Sequence, residues 1–554
     1  MSYNPDNPLI VQSDMSLLLE VASPRYAEAR DALLSFAELV KSPEYIHTWR
    51  VSRLSLWNAA AAGHTAEEVL AVIGELSRYP LPDSIGPQIE SWMAEYGRLT
   101  LTRDGEWLRL EAANPEDLAD VRGISEVRDL FEEAEGGRVL RVHPRRRGEL
   151  KQALTAAGHP VQDLAGYADG EVLTMALTET LPDGEPWSMR DYQREAVDTF
   201  HGGPLAGSGV VVLPCGAGKT IVGIAAMVRL GMRTLVLCAG NTALHQWRRE
   251  ILRRTTLRDD QVGAYTSGTK QLREVTLTTY QLLTWRSDRS SQAPHLKLLS
   301  TEPWGLVIYD EVHLLPAPVF RESAELQARR RLGLTATLVR EDGCEGDVFA
   351  LVGPRRFDMP WKKLEEQGWI AAARCVEVRV TLSEDDRRRY RSAGKAEKYR
   401  IAVKNARKIA QLESLLAIHA DDPVLVLGTY IDQLEWIARR LRLPLITGKT
   451  PGPEREVLYA RFRAGELPVL LLSRVGNASL DLPNASVAVQ IAGTWGSRQE
   501  EAQRLGRILR PNVDGRPAHF YSLVTADSRE QEFAERRQLF LAEQGYPYRI
   551  EHAS

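Results

Sequence analysis

The stretch Pro214-Cys215-Gly216-Ala217-Gly218-Lys219-Thr220 decides the fold of this chain. It follows a short apolar run at 210–213 and precedes an apolar segment at 221–230 that predicts a helix. Glycines between a buried strand and a helix let backbone N–H groups turn toward a polyphosphate, and the helix start adds positive potential. The stretch therefore predicts a phosphate loop in an α/β protein. Lys219 is expected to reach the phosphates and Thr220 to bind Mg²⁺.

A pair of carboxylates forms the second chemical signal. The apolar run 306–309 ends in Asp310 and Glu311. At the carboxyl end of a strand, both side chains can reach the ligand crevice of an open α/β sheet. Asp310 is expected to hold Mg²⁺, Glu311 to orient and polarise the attacking water, and His313 to couple the site to a second lobe.

The spacing of apolar runs predicts the domain organisation. Two series of short buried strands alternate with helical segments, which predicts two parallel-sheet α/β lobes at 184–372 and 373–554. Residues 1–98 carry apolar residues at three- and four-residue spacing and predict a helical accessory domain. Residues 99–183 mix strand-like pieces, including 172–177, with helical ones and predict a small α+β domain. The predicted strands of the lobes are 210–213, 234–238, 276–279, 306–309, 331–334, 424–427, 443–446, 469–472, 487–491 and 518–523.

Composition narrows the class of protein. A chain of 554 residues is too long for one core, and its net charge of −4 means that nucleic-acid binding would need local basic patches. The four cysteines form no C-x-x-C pair, which argues against a zinc site and fits a reducing cytoplasm. The apolar runs are too short to span a bilayer, so no membrane partner is expected.

Two basic segments are candidate nucleic-acid contacts. Residues 384–408 carry more Lys and Arg than Asp and Glu, interleaved with Tyr390 and Tyr399. That pattern suits a backbone track with stacking, but it also suits a solvated helical face. The run Arg145-Arg146-Arg147 likewise allows DNA contact or a solvated helix start.

Several motifs together resemble those of XPB-type DNA repair helicases of superfamily 2, in their bacterial and archaeal form. The resemblance covers roughly 186–540, with one departure at Leu213, where the strict phosphate-loop pattern has Gly. The stretches that carry it are Asp310-Glu311-Val312-His313, Leu334-Thr335-Ala336-Thr337 with Arg340-Glu341-Asp342, 473–483 and 496–510. The resemblance implies two tandem RecA-like lobes with a thumb-like insertion at about 384–408. It also implies ATP and Mg²⁺ as cofactors.

The resemblance also assigns residues of the nucleotide site. Gln503, Arg507 and Arg510 are spaced to share one face of a helix, and the resemblance makes the two arginines candidates for an arginine finger. Gln503 is implied to touch His313. Further implied nucleotide contacts are Arg190 and Gln193 at the adenine and Asp481 in the second lobe. Thr335 and Thr337 are implied to join His313 in coupling.

DNA contacts are also implied by the resemblance. Arg340-Glu341-Asp342 is implicated in duplex opening, although from the residues alone it is equally a salt-bridged surface loop. The remaining implied contacts are Thr278, Thr279, Tyr280, Thr429, Ser473 and Ser479. Within the basic segment 384–408, the candidate contacts are Arg387, Arg388, Arg389 and Arg391.

The sequence therefore predicts a cytoplasmic, monomeric, ATP-dependent DNA helicase. By resemblance it moves 3′ to 5′ in nucleotide-excision-type repair, acts on single-stranded, forked or damaged duplex DNA, and has a nuclease partner. A duplex translocase or remodeller that does not separate strands is one alternative, because the motor motifs are shared. A damage-binding scaffold with little ATPase activity is another. The complete set of ATPase residues argues against it: Lys219, Thr220, Asp310, Glu311, Gln503 and Arg507.

Overall fold

The computed structural model describes residues 3–42, 45–133, 139–164, 170–202, 207–286, 293–314, 326, 328, 330–336, 345–473, 485–493, 501, 504–506, 508–509, 516–546 and 548–553. The chain divides into two compact units. The first comprises Met1–Glu38, Ile46–Leu213 and Gly218–Asp358. The second comprises Leu39–Tyr45, Pro214–Ala217 and Met359–Ser554.

The N-terminal residues combine strands with helices. Their elements are β1 (Leu9–Val11), β2 (Ser16–Glu20), α1 (Tyr26–Leu33), β3 (Glu38–Lys41), β4 (Ile46–Arg50), α2 (Arg53–Ala62), α3 (Ala66–Leu76) and α4 (Ile85–Glu95). Strand β2 pairs antiparallel with both β1 and β4. The prediction of a wholly helical region over 1–98 is therefore wrong around β2. Leu17 and Leu19 are buried and Leu18 is half-buried, a period of two that three successive leucines conceal in the sequence.

A small α+β arrangement follows. Its elements are β5 (Leu99–Asp104), β6 (Trp107–Ala112), α5 (Pro115–Gly123), β7 (Phe131–Glu133), β8 (Val139–Val142), α6 (Arg147–Ala156) and β9 (Val161–Asp163). The described strands lie in the order β7-β8-β6-β5-β9 around a core that includes Leu101, Leu110 and Leu150. The strand predicted at 172–177 is not formed. That segment makes isolated bridges, from Val172 to Met232 and from Leu177 to Thr255.

Asp163, at the end of β9, anchors a nearly buried ionic cluster. Its carboxylate accepts from Arg147 Nε at 2.7 Å and lies 2.9 Å from Lys151 Nζ. Burial alone would raise the pKa of Asp163, but the charges of Arg147 and Lys151 hold it well below its usual range. Arg147 therefore does not belong to an exposed basic patch, whereas Arg146 is exposed and donates to the Asp129 carbonyl at 2.6 Å.

We expect the substitution Asp163→Asn to destabilise the first unit at pH 7 by about 3–5 kcal/mol, because it leaves two cations without their carboxylate. Since the folded-state pKa is depressed, this contribution is present above about pH 4 and is lost as the pH falls further. Thermal unfolding at pH 7 and near pH 2 measures it. Asp104→Asn, at an exposed carboxylate of β5, is the control. A gap between wild type and Asp163→Asn that is independent of pH would contradict the ionic explanation.

The first lobe is an open parallel sheet flanked by helices. Its described strands lie in the order β12-β13-β11-β14-β15-β10-β16. Its elements are α7 (Asp191–His201), β10 (Ser208–Val212), α8 (Lys219–Leu230), β11 (Thr234–Cys238), α9 (Asn241–Arg254), β12 (Val262–Ala264), β13 (Val275–Thr279), α10 (Tyr280–Leu283), α11 (Pro294–Ser300), β14 (Leu306–Asp310), β15 (Arg330–Thr335), α12 (Glu345–Leu351) and β16 (Arg355–Asp358).

The second lobe repeats this architecture. Its described strands are parallel in the order β19-β20-β18-β21-β22-β17-β23. Its elements are α13 (Trp361–Glu366), β17 (Ala373–Val380), α14 (Glu384–Ser392), α15 (Lys395–Val403), α16 (Arg407–Ile418), β18 (Val424–Leu427), α17 (Ile431–Leu441), β19 (Leu445–Ile446), α18 (Gly452–Arg463), β20 (Val469–Leu472), β21 (Val487–Gln490), β22 (Ala518–Thr525), α19 (Arg529–Glu543) and β23 (Tyr548–His552). Two tandem parallel-sheet lobes are thus confirmed. The sequence missed the edge strands β12, β16 and β23 and the inner strand β17.

Within the first unit, the N-terminal helices pack directly on the first lobe. Trp57 and Ala61 of α2 are buried against Phe349 of α12. The Arg355 backbone N–H donates to Asn58 Oδ1 at 3.2 Å, and the Arg355 guanidinium donates to the Leu34 carbonyl. An apolar contact bordered by satisfied polar groups therefore joins the N-terminal helices to this lobe.

Candidate active site

The phosphate loop has the backbone that its glycines permit. Gly216 has φ +83°, and Gly218, which caps α8, has φ +78° and ψ 40°. Both values lie in the left-handed region that other residues avoid. A side chain at Gly218 would also collide with the Gln193 amide nitrogen. Helix α8 begins at Lys219, so the positive end of the helix and the lysine lie together just after strand β10.

Lys219 faces the acidic strand. Its Nζ lies 3.4 Å from Glu311 Oε1, with the two side chains 11% and 19% exposed. Glu311 has φ +51°, an uncommon left-handed conformation for a residue other than glycine. Strand alternation would place Asp310 and Glu311 on opposite faces. The left-handed turn breaks that alternation and lets the Glu311 carboxylate reach the lysine.

The two carboxyl groups have opposite acidities. Burial, reinforced by the charge of Glu311, raises the pKa of Asp310 to about 7. Burial would also raise the pKa of Glu311, but Lys219 and then His313 lower it below its ordinary value. Glu311 is therefore the ionised member of the pair near neutral pH, and Asp310 is held in a position where its negative charge is costly.

His313 joins the acidic strand to its neighbour. Its Nδ1 lies 2.6 Å from Thr335 Oγ1 at the end of β15 and 3.5 Å from Glu311 Oε2. The structure thus brings together two of the three residues expected to couple the site to the second lobe. The third, Thr337, lies outside the described residues, and the coupling roles stay predictions.

Two residues that sequence reasoning did not assign to this site support it. The Tyr280 hydroxyl donates to the Asp310 carbonyl at 2.7 Å, which fixes the end of β14. Trp247 of α9 is buried against Gly223, where a side chain would overlap the indole and approach Leu334. In the sequence, the spacing of Leu244, Trp247 and Ile251 is typical of a buried helix face, and it could have predicted that Trp247 packs in the interior.

The adenine candidates lie at the start of α7. Gln193 is buried, and its Oε1 accepts the Arg190 backbone N–H at 3.0 Å as a helix cap. Arg190 Nη1 donates to the Tyr192 hydroxyl at 3.1 Å. The structure therefore holds Gln193 beside Gly218, with its amide oxygen already engaged in the cap.

Three of the residues implied to contact DNA have buried side chains in the first lobe. Thr278 and Thr279 end β13, which lies inside the sheet, and their side chains are 0% and 9% exposed. Tyr280 is buried under Asp310. The Thr278 side chain is buried because both faces of an inner parallel strand are covered. The implied DNA contacts at Thr278, Thr279 and Tyr280, through hydroxyls or backbone N–H groups, stay predictions. Thr279 caps α10 by accepting the Leu282 N–H at 3.3 Å.

In the second lobe, Ser473 is buried and Thr429 is half-buried, with its hydroxyl donating to the Ala492 carbonyl at 3.3 Å. The implied DNA contacts at Thr429 and Ser473 stay predictions. The other predicted residues Arg340, Glu341, Asp342, Ser479, Asp481, Gln503, Arg507 and Arg510 lie outside the described residues.

Three arginines of the basic run on α14 pair with acidic residues of the same helix. Glu384, Asp385 and Asp386 precede the arginines by three residues and pair with them along the helix. The pairs are Arg387–Glu384 at 3.5 Å, Arg388–Asp385 at 2.5 Å and Arg389–Asp386 at 3.3 Å. Tyr399 is buried, and the Tyr390 hydroxyl accepts the Arg529 N–H at 2.8 Å. The Tyr399 ring is therefore not available for stacking on a base, and stacking at the half-buried Tyr390 stays a prediction.

Family models match three parts of the chain. The model described as ERCC3/RAD25/XPB C-terminal helicase matches residues 364–553. The type III restriction enzyme res subunit model matches 187–340, and a helicase conserved C-terminal domain model matches 9–134.

Relatives match over nearly the whole length. A DNA 3′-5′ helicase XPB from Kineococcus radiotolerans is 52% identical over 98% of this chain and 96% of its own. The DNA 3′-5′ helicase XPB of Mycobacterium tuberculosis is 50% identical over 99% and 98%. The general transcription and DNA repair factor IIH helicase/translocase subunit XPB of Antonospora locustae is 33% identical over 98% and 81%.

Among solved structures, a DNA-bound ATP-dependent Type ISP restriction-modification enzyme, LlaBIII, matches 67% of this chain and 32% of its own, with a TM-score of 0.51 and 12% identity. This likeness concerns the fold alone. Two parallel-sheet lobes, the first with a phosphate loop facing an Asp-Glu strand, define a superfamily 2 helicase.

Within that class, the chain belongs to the XPB family of ATP-dependent DNA helicases. Among the described residues, no helix has the length and apolarity needed to cross a membrane.

Proposed function

We propose that the chain hydrolyses ATP at the site around Lys219 and uses the energy to move 3′ to 5′ along DNA in repair. The observation that supports this most strongly is the buried carboxylate pair facing a single lysine of the phosphate loop. Two adjacent carboxyl groups with one cation are costly in a buried position. Such an arrangement is useful when phosphates and a metal ion enter the site.

The residues divide the chemistry between them. Glu311, whose pKa is lowered, stays ionised and can orient a water molecule and take its proton. Lys219 contacts Glu311 in this structure. When ATP binds, Lys219 would exchange this contact for one with the phosphates. The left-handed backbone conformation of Glu311 lets its carboxylate lie beside the Lys219 ammonium at the end of strand β14.

The donor set fits Mg²⁺. Burial and the charge of Glu311 disfavour the ionised form of Asp310, and a divalent cation would offset both effects. Asp310 and Thr220 would hold the ion, which when bound neutralises charge on the β- and γ-phosphates. ATP with Mg²⁺ is therefore the proposed substrate form.

The second lobe would complete the site with Gln503, Arg507 and Arg510. Their neighbour Arg504 is 1% exposed, and its Nη1 donates to Gln490 Oε1 at 2.5 Å. Arg504 is thus committed to the interior of its own lobe, which leaves Arg507 and Arg510 as the candidates for the γ-phosphate. Asp481 keeps its proposed place near the nucleotide.

ATPase rates without DNA and with single-stranded, forked and duplex DNA test the proposed function. We expect DNA to stimulate turnover, with forked DNA unwound in an ATP-dependent way. A rate that no DNA increases would refute the proposal. Displacement of a triplex strand without unwinding of a fork would favour a duplex translocase instead. The Antonospora relative, named a helicase/translocase subunit, supports this alternative.

The exposed cations on α14 and α15 are the proposed DNA contacts of the thumb-like insertion. Among the described residues, Arg391 and Lys395 have no carboxylate partner, whereas Arg388 and Arg389 each have one. We expect Arg391→Ala with Lys395→Ala to weaken DNA binding and to reduce its salt dependence by a slope of about 2, because two phosphate contacts are lost. Binding titrations at several salt concentrations measure this.

The matched control is Arg388→Ala with Arg389→Ala, which removes the same charge from the same insertion. Since a phosphate would have to displace a carboxylate from these arginines, we expect a smaller change in the salt slope. Equal slopes for the two double variants would show that the intrahelical pairs do not decide which arginines bind DNA.

The proposal also covers the cellular location, the oligomeric state and a partner of the protein. We place it in the cytoplasm as a monomer with a nuclease partner, as the family resemblance implies. Light scattering tests the monomer, and stimulation of a nuclease on forked DNA tests the partnership.

A further inference from the structure

In the second unit, side chains from separate elements hold the chain just after strand β21. We call residues 491–493 the strand end; all three are buried. Each of its backbone carbonyls accepts a hydrogen bond from a side chain. The donors are Lys408 Nζ to Ile491 at 2.9 Å, Thr429 Oγ1 to Ala492 at 3.3 Å and the Tyr399 hydroxyl to Gly493 at 2.8 Å.

Lys408 is fully buried and uses its three protons at this point. Besides the Ile491 carbonyl, it donates to both carboxylate oxygens of Glu530, at 2.6 and 2.7 Å. Glu530 also accepts the Thr525 N–H at 3.0 Å. A buried ion pair contributes little net stability relative to apolar packing, but it fixes the geometry of the groups it joins. The pair therefore fixes the position of the Ile491 carbonyl relative to Glu530.

The strand end also touches two buried arginines. A side chain at Gly493 would overlap the Arg537 guanidinium, so only glycine allows this close approach. Arg504 Nη1 donates to the Ala492 carbonyl at 3.3 Å. Arg504 lies three residues before Arg507 in the sequence. The strand end is thus in contact with the segment that leads to the proposed arginine finger.

Tyr399 connects this strand end to the thumb-like insertion. It lies on α15, the helix that begins with Lys395, and its ring packs edge-on against Phe533 with centroids 5.2 Å apart. We propose that Tyr399 is a positioning residue for DNA-stimulated ATP hydrolysis, joining the basic helices α14 and α15 to the strand end that holds Arg504. This inference rests on the proposed function.

Removing only the hydroxyl of Tyr399 distinguishes a positioning role from a packing role. A phenylalanine keeps the contact with Phe533 but removes the hydrogen bond to Gly493 and leaves a buried carbonyl without that donor. A residue needed only for packing would therefore tolerate Tyr399→Phe in the catalytic rate. A positioning residue would not.

The experiment compares Tyr399→Phe with wild type in ATPase assays with saturating forked DNA. We expect kcat to fall about fivefold, the change that loss of one ordinary hydrogen bond produces. The KM for ATP should stay unchanged, because the phosphate loop is intact. Tyr546→Phe is the matched control, since Tyr546 is equally buried in the second unit but does not donate to the strand end. It should keep the wild-type kcat.

A second variant tests the role of the strand end without changing Tyr399. Lys408→Met with Glu530→Met removes the buried pair without leaving a lone charge, and we expect a similar loss of kcat at unchanged KM. Wild-type kcat in both variants would overturn the inference, even if their melting temperatures fall. If wild type itself shows no stimulation by DNA, the proposed function fails and the inference fails with it.

Discussion

The variant Glu311→Gln is expected to lower kcat for DNA-stimulated ATP hydrolysis by at least ~10²-fold while retaining ATP binding. Glutamine keeps the shape of the side chain but cannot take a proton from the attacking water. Glu311 is suited to that task because Lys219 and His313 keep its pKa low in a buried position. Steady-state turnover and equilibrium binding of a fluorescent ATP analogue measure the two quantities separately.

Its control is Glu67→Gln, which removes a carboxylate from the exposed face of α3 and should leave turnover unchanged. A Glu311→Gln protein that still hydrolyses ATP at a tenth or more of the wild-type rate would show that another group activates the water. Weak ATP binding together with slow turnover would instead assign Glu311 to holding the nucleotide.

Removing the phosphate-loop lysine is the second large effect. We expect Lys219→Ala to lower kcat/KM for ATP by about 10²–10³, because a cation that stabilises phosphoryl transfer is lost. The variant also leaves Glu311 buried without its nearest cation, so the pKa of Glu311 should rise. The rate measured across pH 6 to 9 should then depend more steeply on pH than in wild type.

Lys297→Ala is the matched control, since Lys297 is an exposed lysine on α11 of the same lobe. It should behave as wild type in both rate and pH profile. Retained turnover in Lys219→Ala would contradict the assignment of the phosphate loop, whatever happens to the pH profile.

The fold was largely predictable because inner parallel strands are apolar on both faces. Runs such as 234–238 and 424–427 have that composition, and both are inner strands in the structure. Strand β16, Arg-Arg-Phe-Asp, is an edge strand with polar residues and gave no such signal. Strand β2 was hidden for another reason, because its three leucines fit a helical period as well as a strand period.

The candidate site was predictable where chemistry depends on adjacent residues. Lys219, Asp310 and Glu311 are recognisable from local motifs, and the structure places Lys219 against Glu311. Burial was not predictable in the same way. The family resemblance implied that Tyr280 contacts DNA, and nothing in the local sequence indicated that long-range packing places its hydroxyl against the Asp310 carbonyl of β14. Likewise, the pairing of three arginines on α14 follows from helical spacing that net charge alone does not report.

The contact between α2 and α12 has a consequence for how the chain can be divided. A fragment that starts at residue 184 would lack Trp57 and Ala61, and it would leave Phe349 and the neighbouring apolar surface facing water. Exposed apolar patches of this kind promote self-association. We therefore expect removal of the N-terminal third to lower the colloidal stability of the helicase lobes even if their own folding is complete.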